Sequence, residues 1–375
     1  MRTAIVSDLH LGSAFGEDVL RDAAIRRALF EEIAAADRVV LLGDVVELRE
    51  RPLGVALAAA RPFFEELGEA LGARAPVILV PGNHDHRFAE PLLDELSLSG
   101  RPALGLEQRY APSPGPTALL DRWLRDARLE LAYPGVWLRD DVYATHGHYM
   151  DCHLSLPRAE CVAAAAVMRA SGPLPDPATP EDYERVLRPV YGFAFGVAQS
   201  RTSRLARGAG HSSETAWELV SGSADGHRGR RRRLAGGVVR AGVPAAIWGL
   251  NRLLRTSFEL DLSGGAIFRS GVAGATEMAS RLRLGAAHVL TGHTHRGGPR
   301  EGEADWELPG GGQLHNTGSW VFSSVFHHPG TPPGPYWPGT VTWVEDEGPP
   351  RRVQLLTERP REELAATVSR SRSGA

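Results

Sequence analysis

The chain is poor in cysteine, has no lysine and carries little net charge. Its two cysteines, Cys152 and Cys161, cannot build the disulfide framework of a small secreted domain, so we expect reduced thiols that pack as small apolar residues. The first residues hold too short an apolar stretch for a signal peptide, which predicts a cytoplasmic location. A formal charge of -3 gives no general attraction to nucleic acid or acidic membranes. Contacts with either of these would need a local patch of positive charge.

What the sequence does contain is enough apolar material for a real core. Its 375 residues are 42% hydrophobic, and short apolar runs at 3–7, 38–42 and 76–80 alternate with helical patterns at 22–36 and 56–71. This β-α-β-α-β start predicts an α/β fold, in which loops gather at the carboxyl ends of the strands. Further strand patterns occur at 129–138, 141–145, 287–291, 313–321 and 340–344.

Five short polar segments have one composition, rich in His, Asp and Asn, and most of them directly follow an apolar run. Such side chains are the mixed nitrogen and oxygen ligands that suit first-row metal ions, and no cysteine stands among them. The glycines before Asp44 and Asn83 would let the backbone approach an ion closely. The segments are Asp8-Leu9-His10, Gly43-Asp44, Gly82-Asn83-His84-Asp85, Thr145-His146-Gly147-His148 and Gly292-His293-Thr294-His295.

In composition and order, these segments resemble the signature of the calcineurin-like metallophosphoesterases. The resemblance implies a four-layer α-β-β-α sandwich of two mixed sheets and a binuclear metal centre. It also implies that Asp44 bridges the two ions, that His84 contacts the phosphoryl group or protonates the leaving group, and that Asp85 orients His84. By motif, the ligands would be Asp8, His10 and His295 for one ion, and Asn83, His146 and His293 for the other.

This set of residues predicts a metal-dependent hydrolase of a phosphate ester. Two ions roughly 3.5 to 4 Å apart can clamp a phosphoryl group and lower the pKa of a bridging water, so that a metal-bridging hydroxide attacks phosphorus. Manganese is our first choice of metal, with iron or zinc as alternatives. A protonated His84 would neutralise the departing oxygen.

Between the fourth and fifth segments, strand signals give way to Ala-rich and Arg-rich sequence. We expect a metallophosphoesterase core at 1–149 and 285–358, a helical insertion or cap at 150–284 and a disordered tail at 359–375. The insertion contains an arginine run at 228–233, which suggests either a solvated loop or a phosphate-binding segment. An Arg-flanked amphipathic stretch at 234–254 could pack on the core, contact a membrane surface or cover an amphiphilic, lipid-linked substrate.

Two other functions compete with this hypothesis. The arginine run suggests a nuclease, although the near-neutral charge argues against nucleic acid as a partner. A non-catalytic scaffold is the other alternative, and a complete ligand set argues against it.

Several side chains near the five segments can be interpreted in two ways. His148 could replace His146 as a ligand, although the order of the motif favours His146. Asp151 and His153 could support the site or lie in a solvated loop. We interpret Glu47 mainly as a turn residue, with a contact that supports the metal ligands as the alternative. We expect His86 simply to extend its loop. The remaining histidines carry no spacing signal and are treated as ordinary: His211, His227, His288, His315, His327 and His328.

Overall fold

A computed structural model describes residues 1–100, 104–200, 244–261, 263–303, 306–327 and 330–372. Within these residues, the strands form a ten-stranded mixed sheet in the order β10-β9-β1-β2-β3-β5-β6-β7-β8, with β4 beside β5. The strands are β1 (Thr3–Val6), β2 (Arg38–Leu42), β3 (Val77–Val80), β4 (Glu107–Tyr110), β5 (Leu129–Arg139), β6 (Val142–Thr145), β7 (His288–Thr291), β8 (Gln313–Asn316), β9 (Thr340–Val344) and β10 (Arg351–Gln354).

The sheet curls because one long strand belongs to two of its arms. The first residues of β5 pair in parallel with β3, and its later residues pair antiparallel with β6. Neighbouring side chains of β1 and β2 belong to different buried clusters: Ala4 and Val39 lie with the helices, whereas Ile5 and Val40 meet residues of β5, β6 and β7. Both faces of these strands are therefore covered, as their continuous apolar sequence predicts. The mixed α/β class is confirmed.

Helices cover the sheet and fill the described part of the insertion. Asp22 caps the first helix by accepting the backbone N–H groups of Ala24 and Ile25. Between β6 and β7, the described residues contain helices and no strand. The helices are α1 (Ala23–Ile33), α2 (Leu53–Leu71), α3 (Glu90–Ser99), α4 (Pro116–Trp123), α5 (Ala159–Ser171), α6 (Pro180–Gln199), α7 (244–254), α8 (Gly264–Arg281) and α9 (Arg361–Arg372).

Two expectations from the sequence differ from the structure. The end of the chain was expected to be disordered, yet α9 is helical, because Leu364 and Val368 lie four residues apart on one face and are buried. The strand expected at 313–321 ends at Asn316, and Gly318 then adopts a positive φ of 75°. Among the described helices, none combines the length and the apolar character that crossing a membrane requires.

Candidate metal centre

The sheet brings all seven predicted ligands to one edge. Strands β1, β2 and β3 run parallel, as do β6 and β7, so the loops after their carboxyl ends meet. Asp8 and Asp44 each lie two residues past a strand, and His146 follows β6 directly. Within the described residues, three groups of side chains lie close enough to hold a metal ion: Asp8, His10 and His295; His10, Asp44 and His84; and Asp44, His146 and His293.

The first group places two imidazole nitrogens and a carboxylate around one point. Nε2 of His295 lies 3.2 Å from Oδ1 of Asp8 and 3.2 Å from Nε2 of His10. The other ring nitrogen of His10, Nδ1, lies 2.8 Å from the Glu47 carboxylate. When the His10 ring is neutral and Nδ1 carries its proton in this contact, Nε2 presents a lone pair toward His295.

The second group is centred on Asn83. Its Oδ1 lies 3.2 Å from Nε2 of His146, 3.1 Å from Nδ1 of His293 and 3.1 Å from Oδ2 of Asp44. Nδ1 of His146 lies 3.1 Å from the carbonyl oxygen of Leu42 and can donate to it, which leaves the lone pair of Nε2 directed at the group.

With neutral imidazoles in these tautomers, the facing atoms are all hydrogen-bond acceptors, and a cation or a rotated Asn83 amide would satisfy them. Asp44 lies between the two groups, with Oδ2 3.2 Å from Nε2 of His146 and 3.7 Å from Nε2 of His10. A donor set of four histidines, two carboxylates and one amide oxygen fits a pair of first-row divalent ions.

Backbone strain is concentrated at the same positions. A positive φ in a residue other than glycine is uncommon, and each instance costs on the order of 1 to 3 kcal/mol. Five of the seven proposed ligands have one, which indicates that the loops hold these side chains in place for a purpose other than stability. They are Asp8 (53°), His10 (46°), Asp44 (51°), His293 (68°) and His295 (59°).

Glycines permit the close approach of these loops. A Cβ atom on Gly43 would lie 2.3 Å from the ring of His146, and one on Gly82 would lie 2.3 Å from Oδ1 of Asp44. The corresponding atom on Gly292 would lie 2.4 Å from Oδ2 of Asp8. The glycines before Asp44 and Asn83 therefore let the loops that carry the proposed ligands approach one another closely.

Glu47, which the sequence favoured as a turn residue, joins two histidines of the centre. Its fully buried carboxylate accepts from Nδ1 of His10 at 2.8 Å and from Nδ1 of His84 at 2.6 Å. Burial opposes ionisation of Glu47, but the charge of His84 and both hydrogen bonds lower its pKa. Burial likewise opposes the charge on His10, but the bond to Glu47 and nearby carboxylates raise the pKa of His10 to about 10.

Asp85 does not take the position predicted for it beside His84. Its buried carboxylate instead accepts backbone N–H groups from two loops, at 2.7 Å from Gly82, 2.7 Å from Val45 and 3.3 Å from both Asp44 and Val46. Burial, followed by the charge of Asp44, raises the pKa of Asp85 to about 6. Asp85 thus ties the loop after β2 to the loop after β3, and Glu47 makes the contact with His84.

The other histidines near the centre, and Asp151, also have defined contacts. His146 lies in a group that could hold a metal ion, whereas Nε2 of His148 lies 3.2 Å from the Tyr133 hydroxyl within a buried aromatic cluster. Asp151 contacts His293 at 2.8 Å. His153 bonds the Tyr183 hydroxyl at 2.7 Å, and His86 lies 3.0 Å from Glu184.

The remaining predictions concern ordinary positions. Cys152 and Cys161 are both free thiols, and Cys161 is buried on α5. His288 and His315 lie 3.1 Å apart on neighbouring strands, and His327 is buried beside Phe322 and Trp337. His211, His227, His328 and the arginine run at 228–233 lie outside the described residues.

Comparison with known proteins gives the class to which this centre belongs. Residues 1–163, which include Asp8, His10, Asp44, Asn83, His84 and His146, match the family model described as calcineurin-like phosphoesterase. Over these residues the chain is similar to that family, and the match supports a hydrolase of phosphoric esters.

Two further comparisons add little. A solved structure, the cold-active protein-tyrosine phosphatase of a psychrophilic Shewanella species, matches over 94% of this chain and 80% of its own, with 14% identity and a TM-score of 0.29. A likeness at that score carries no argument about mechanism or substrate. No curated protein matches the chain significantly.

Proposed function

We propose that this phosphoesterase hydrolyses its substrate with two divalent metal ions held by the seven converging side chains. The observation that supports this most directly is the convergence of imidazole nitrogens and the Asn83 side chain, which face one another at 3.1 to 3.2 Å. One ion would be held by Asp8, His10 and His295 and the other by Asn83, His146 and His293, with Asp44 shared between them. Manganese remains our first choice of metal.

When bound, such ions polarise the phosphoryl group and lower the pKa of a water that attacks it. His84 supplies the proton for the leaving oxygen. Glu47 holds Nδ1 of His84 at 2.6 Å, so Nε2 is the atom left to face a substrate. The His84 side chain is 21% exposed, whereas that of Glu47 is fully buried, so His84 lies where the centre opens to solvent.

Metal reconstitution tests the proposal. Metal-stripped protein loaded with Mn²⁺, Fe²⁺ or Zn²⁺ should bind two ions per chain and hydrolyse aryl phosphate monoesters or diesters. Replacing Asp44 with Asn should remove both activity and one or both ions. Full loading without turnover of a broad ester panel would contradict the proposed chemistry.

The role of His84 needs its own comparison. His84→Asn should slow esters of alkyl alcohols much more than esters of p-nitrophenol, because an aryl oxide leaves without a proton. Equal losses for both leaving groups would contradict proton donation by His84.

We also propose that the core comprises residues 1–149 and 285–358 as a four-layer sandwich, with 150–284 as a cap. Three buried clusters support the layering. One joins β1, β2 and β3 with β5, β6 and β7, and two others place helices on the outer faces of the two arms. Cutting the chain at engineered protease sites near residues 150 and 284, followed by metal analysis, would show whether core and cap stay together.

An amphiphilic substrate, with peripheral membrane contact through the insertion, is supported by α7. This helix turns Ile247 inward and leaves Trp248 68% and Leu253 70% exposed, with the exposed Arg252 beside them. Exposed Trp and Leu next to arginine are typical of helices that lie at a lipid surface.

Co-sedimentation with vesicles of anionic and neutral phospholipid tests this contact. The double substitution Trp248→Ala and Leu253→Ala should lower binding to anionic vesicles. Leu98→Ala is the matched control, since Leu98 is exposed on α3 outside the insertion. Equal binding by both variants would remove the membrane proposal.

A cytoplasmic location is compatible with such contact and remains our proposal. The nuclease alternative gains no support, since its arginine run lies outside the described residues.

A further inference from the structure

A buried hydrogen-bonded chain leads from the insertion to the metal centre. Nε2 of His293 lies 2.8 Å from Oδ1 of Asp151, and Oδ2 of Asp151 accepts from the Tyr191 hydroxyl at 3.2 Å. Tyr191 lies on α6, and all three side chains are buried. The chain therefore runs from a helix of the cap to a proposed ligand of the second ion.

Asp151 determines which nitrogen of His293 can bind a metal. Because a carboxylate only accepts hydrogen bonds, Nε2 of His293 must carry the proton in this contact. Nδ1 is then left as a lone pair, 3.1 Å from Oδ1 of Asn83. In His10 and His146 the roles are reversed, with Nδ1 bonded and Nε2 facing the centre. The contact with Asp151 is what makes His293 suitable at its position.

The Tyr191 hydroxyl holds the second oxygen of Asp151. Burial and the negative charge of Asp151 raise the pKa of Tyr191, so this phenol remains a donor. The same hydroxyl lies 3.4 Å from the carbonyl oxygen of His148. Tyr191 thus contacts both the first residue of the 3-10 helix His148–Cys152 and Asp151 within it.

Helix α6 is a firm support for this contact. A capping box of Thr179 and Asp182 fixes its first turn. The ring of Tyr183 stacks on that of Tyr149, with centroids 4.7 Å apart, and the buried Glu184 accepts from Tyr149 at 2.6 Å. Tyr149 belongs to the same 3-10 helix as Asp151, so α6 holds that segment at several points.

We propose that Tyr191 is a positioning residue for the metal ligand His293, acting through Asp151, so that the insertion is part of the metal centre. This inference rests on the proposed function, which assigns His293 to the second ion. Tyr191 touches neither the ligand set nor the space in front of His84, and its effect is expected in metal affinity before turnover.

Metal titration of Tyr191→Phe tests the inference. This substitution removes one oxygen and keeps the ring, so the fold should be retained. We expect Mn²⁺ affinity at one of two sites to fall about 10-fold to 100-fold, as is typical when a partner of a metal-ligating histidine is lost. Saturating Mn²⁺ should restore turnover. Asp151→Asn should weaken the same site further, since its amide cannot provide a full negative charge to the His293 N–H group.

Tyr183→Phe is the matched control. Tyr183 lies on the same helix and its hydroxyl bonds His153, so the control loses a buried hydroxyl without touching Asp151. It should bind both ions as the wild type does. Wild-type affinity at both sites in Tyr191→Phe and in Asp151→Asn would overturn the inference and leave the proposed function intact. A wild-type chain that binds no ion would overturn both.

Discussion

Adding a single methyl group at Gly82 should disable the metal centre while the fold survives. The φ of Gly82 is one that alanine can adopt, so the effect of Gly82→Ala would come from contacts alone. The new Cβ would lie 2.3 Å from Oδ1 of Asp44 and 2.7 Å from Cδ2 of His146. Both neighbours are proposed ligands, and neither has free space to move into because both are buried.

The size of the effect follows from the overlap. Real Cβ contacts are not closer than 3.0 Å, so Asp44 and the loop of Gly82 must separate by about 0.7 Å. Crowding of this kind in a packed interior costs about 1 to 3 kcal/mol of unfolding free energy. A displacement approaching 1 Å in a catalytic site costs about 10²-fold in rate. We therefore expect kcat/KM to fall about 100-fold, together with weaker metal binding.

The assay compares Gly82→Ala with Gly105→Ala. Gly105 also has an ordinary φ, and a Cβ there would meet nothing within 4 Å. Urea unfolding, metal content after dialysis and aryl phosphate hydrolysis should all be unchanged in Gly105→Ala. If Gly82→Ala kept two ions and wild-type kcat/KM, the close approach of these loops would have no bearing on the centre, and the reasoning would fail.

Three further predictions concern buried carboxylates. Glu47→Gln should lower kcat about 10-fold to 100-fold, because His10 and His84 lose the charged carboxylate that accepts from both of their Nδ1 atoms; an unchanged kcat would contradict this. Asp85→Ala should lower the free energy of unfolding by about 3 kcal/mol or more, since several backbone N–H groups lose a buried acceptor, and urea unfolding measures this. Burial acts against the charge on His86, but Glu184 helps to raise the pKa of His86 to about 9, and the pKa of Glu184 is lowered. The stability advantage of wild type over Glu184→Gln should therefore be greatest between about pH 4.5 and 6.5 and shrink as the pH rises through 9. The loss should be smaller than the ~3 kcal/mol that the whole shift of His86 represents, because Glu90 also raises this pKa; a constant difference would refute the prediction.

The inner strands were predictable because their burial on both faces leaves a continuous apolar sequence. The runs that became β1, β2 and β3 were located to within a residue or two. The edge strand β4 was not, since its sequence Glu-Gln-Arg-Tyr carries no apolar alternation and its order comes from pairing with β5. Polar edge strands of this kind depend on a partner that the local sequence does not reveal.

The convergence of the proposed ligands was predictable from residue type and order, but the contacts that support these side chains were not. Asp85 follows His84 in sequence, and adjacency suggested that the two would bond. The loop after β3 instead directs Asp85 toward backbone N–H groups. Glu47 reaches His10 because the backbone of Leu11 pairs with that of Val46, and the N–H of Glu47 donates to the carbonyl oxygen of Leu11 at 3.0 Å. Pairing between two loops is a long-range property with no local signal.

The strained ligands are held by the same pairing. The N–H of Asp8 donates to the carbonyl oxygen of Gly43 at 3.0 Å, and that of His10 donates to the carbonyl oxygen of Asp44 at 2.8 Å. Each loop therefore fixes the other in a conformation that neither would adopt alone, and Asp85 adds the loop of Gly82 to the assembly. Because this network consists mainly of backbone hydrogen bonds, the positions of the proposed ligands are set by the fold itself, and the proposed ions would bind to loops that are already in place.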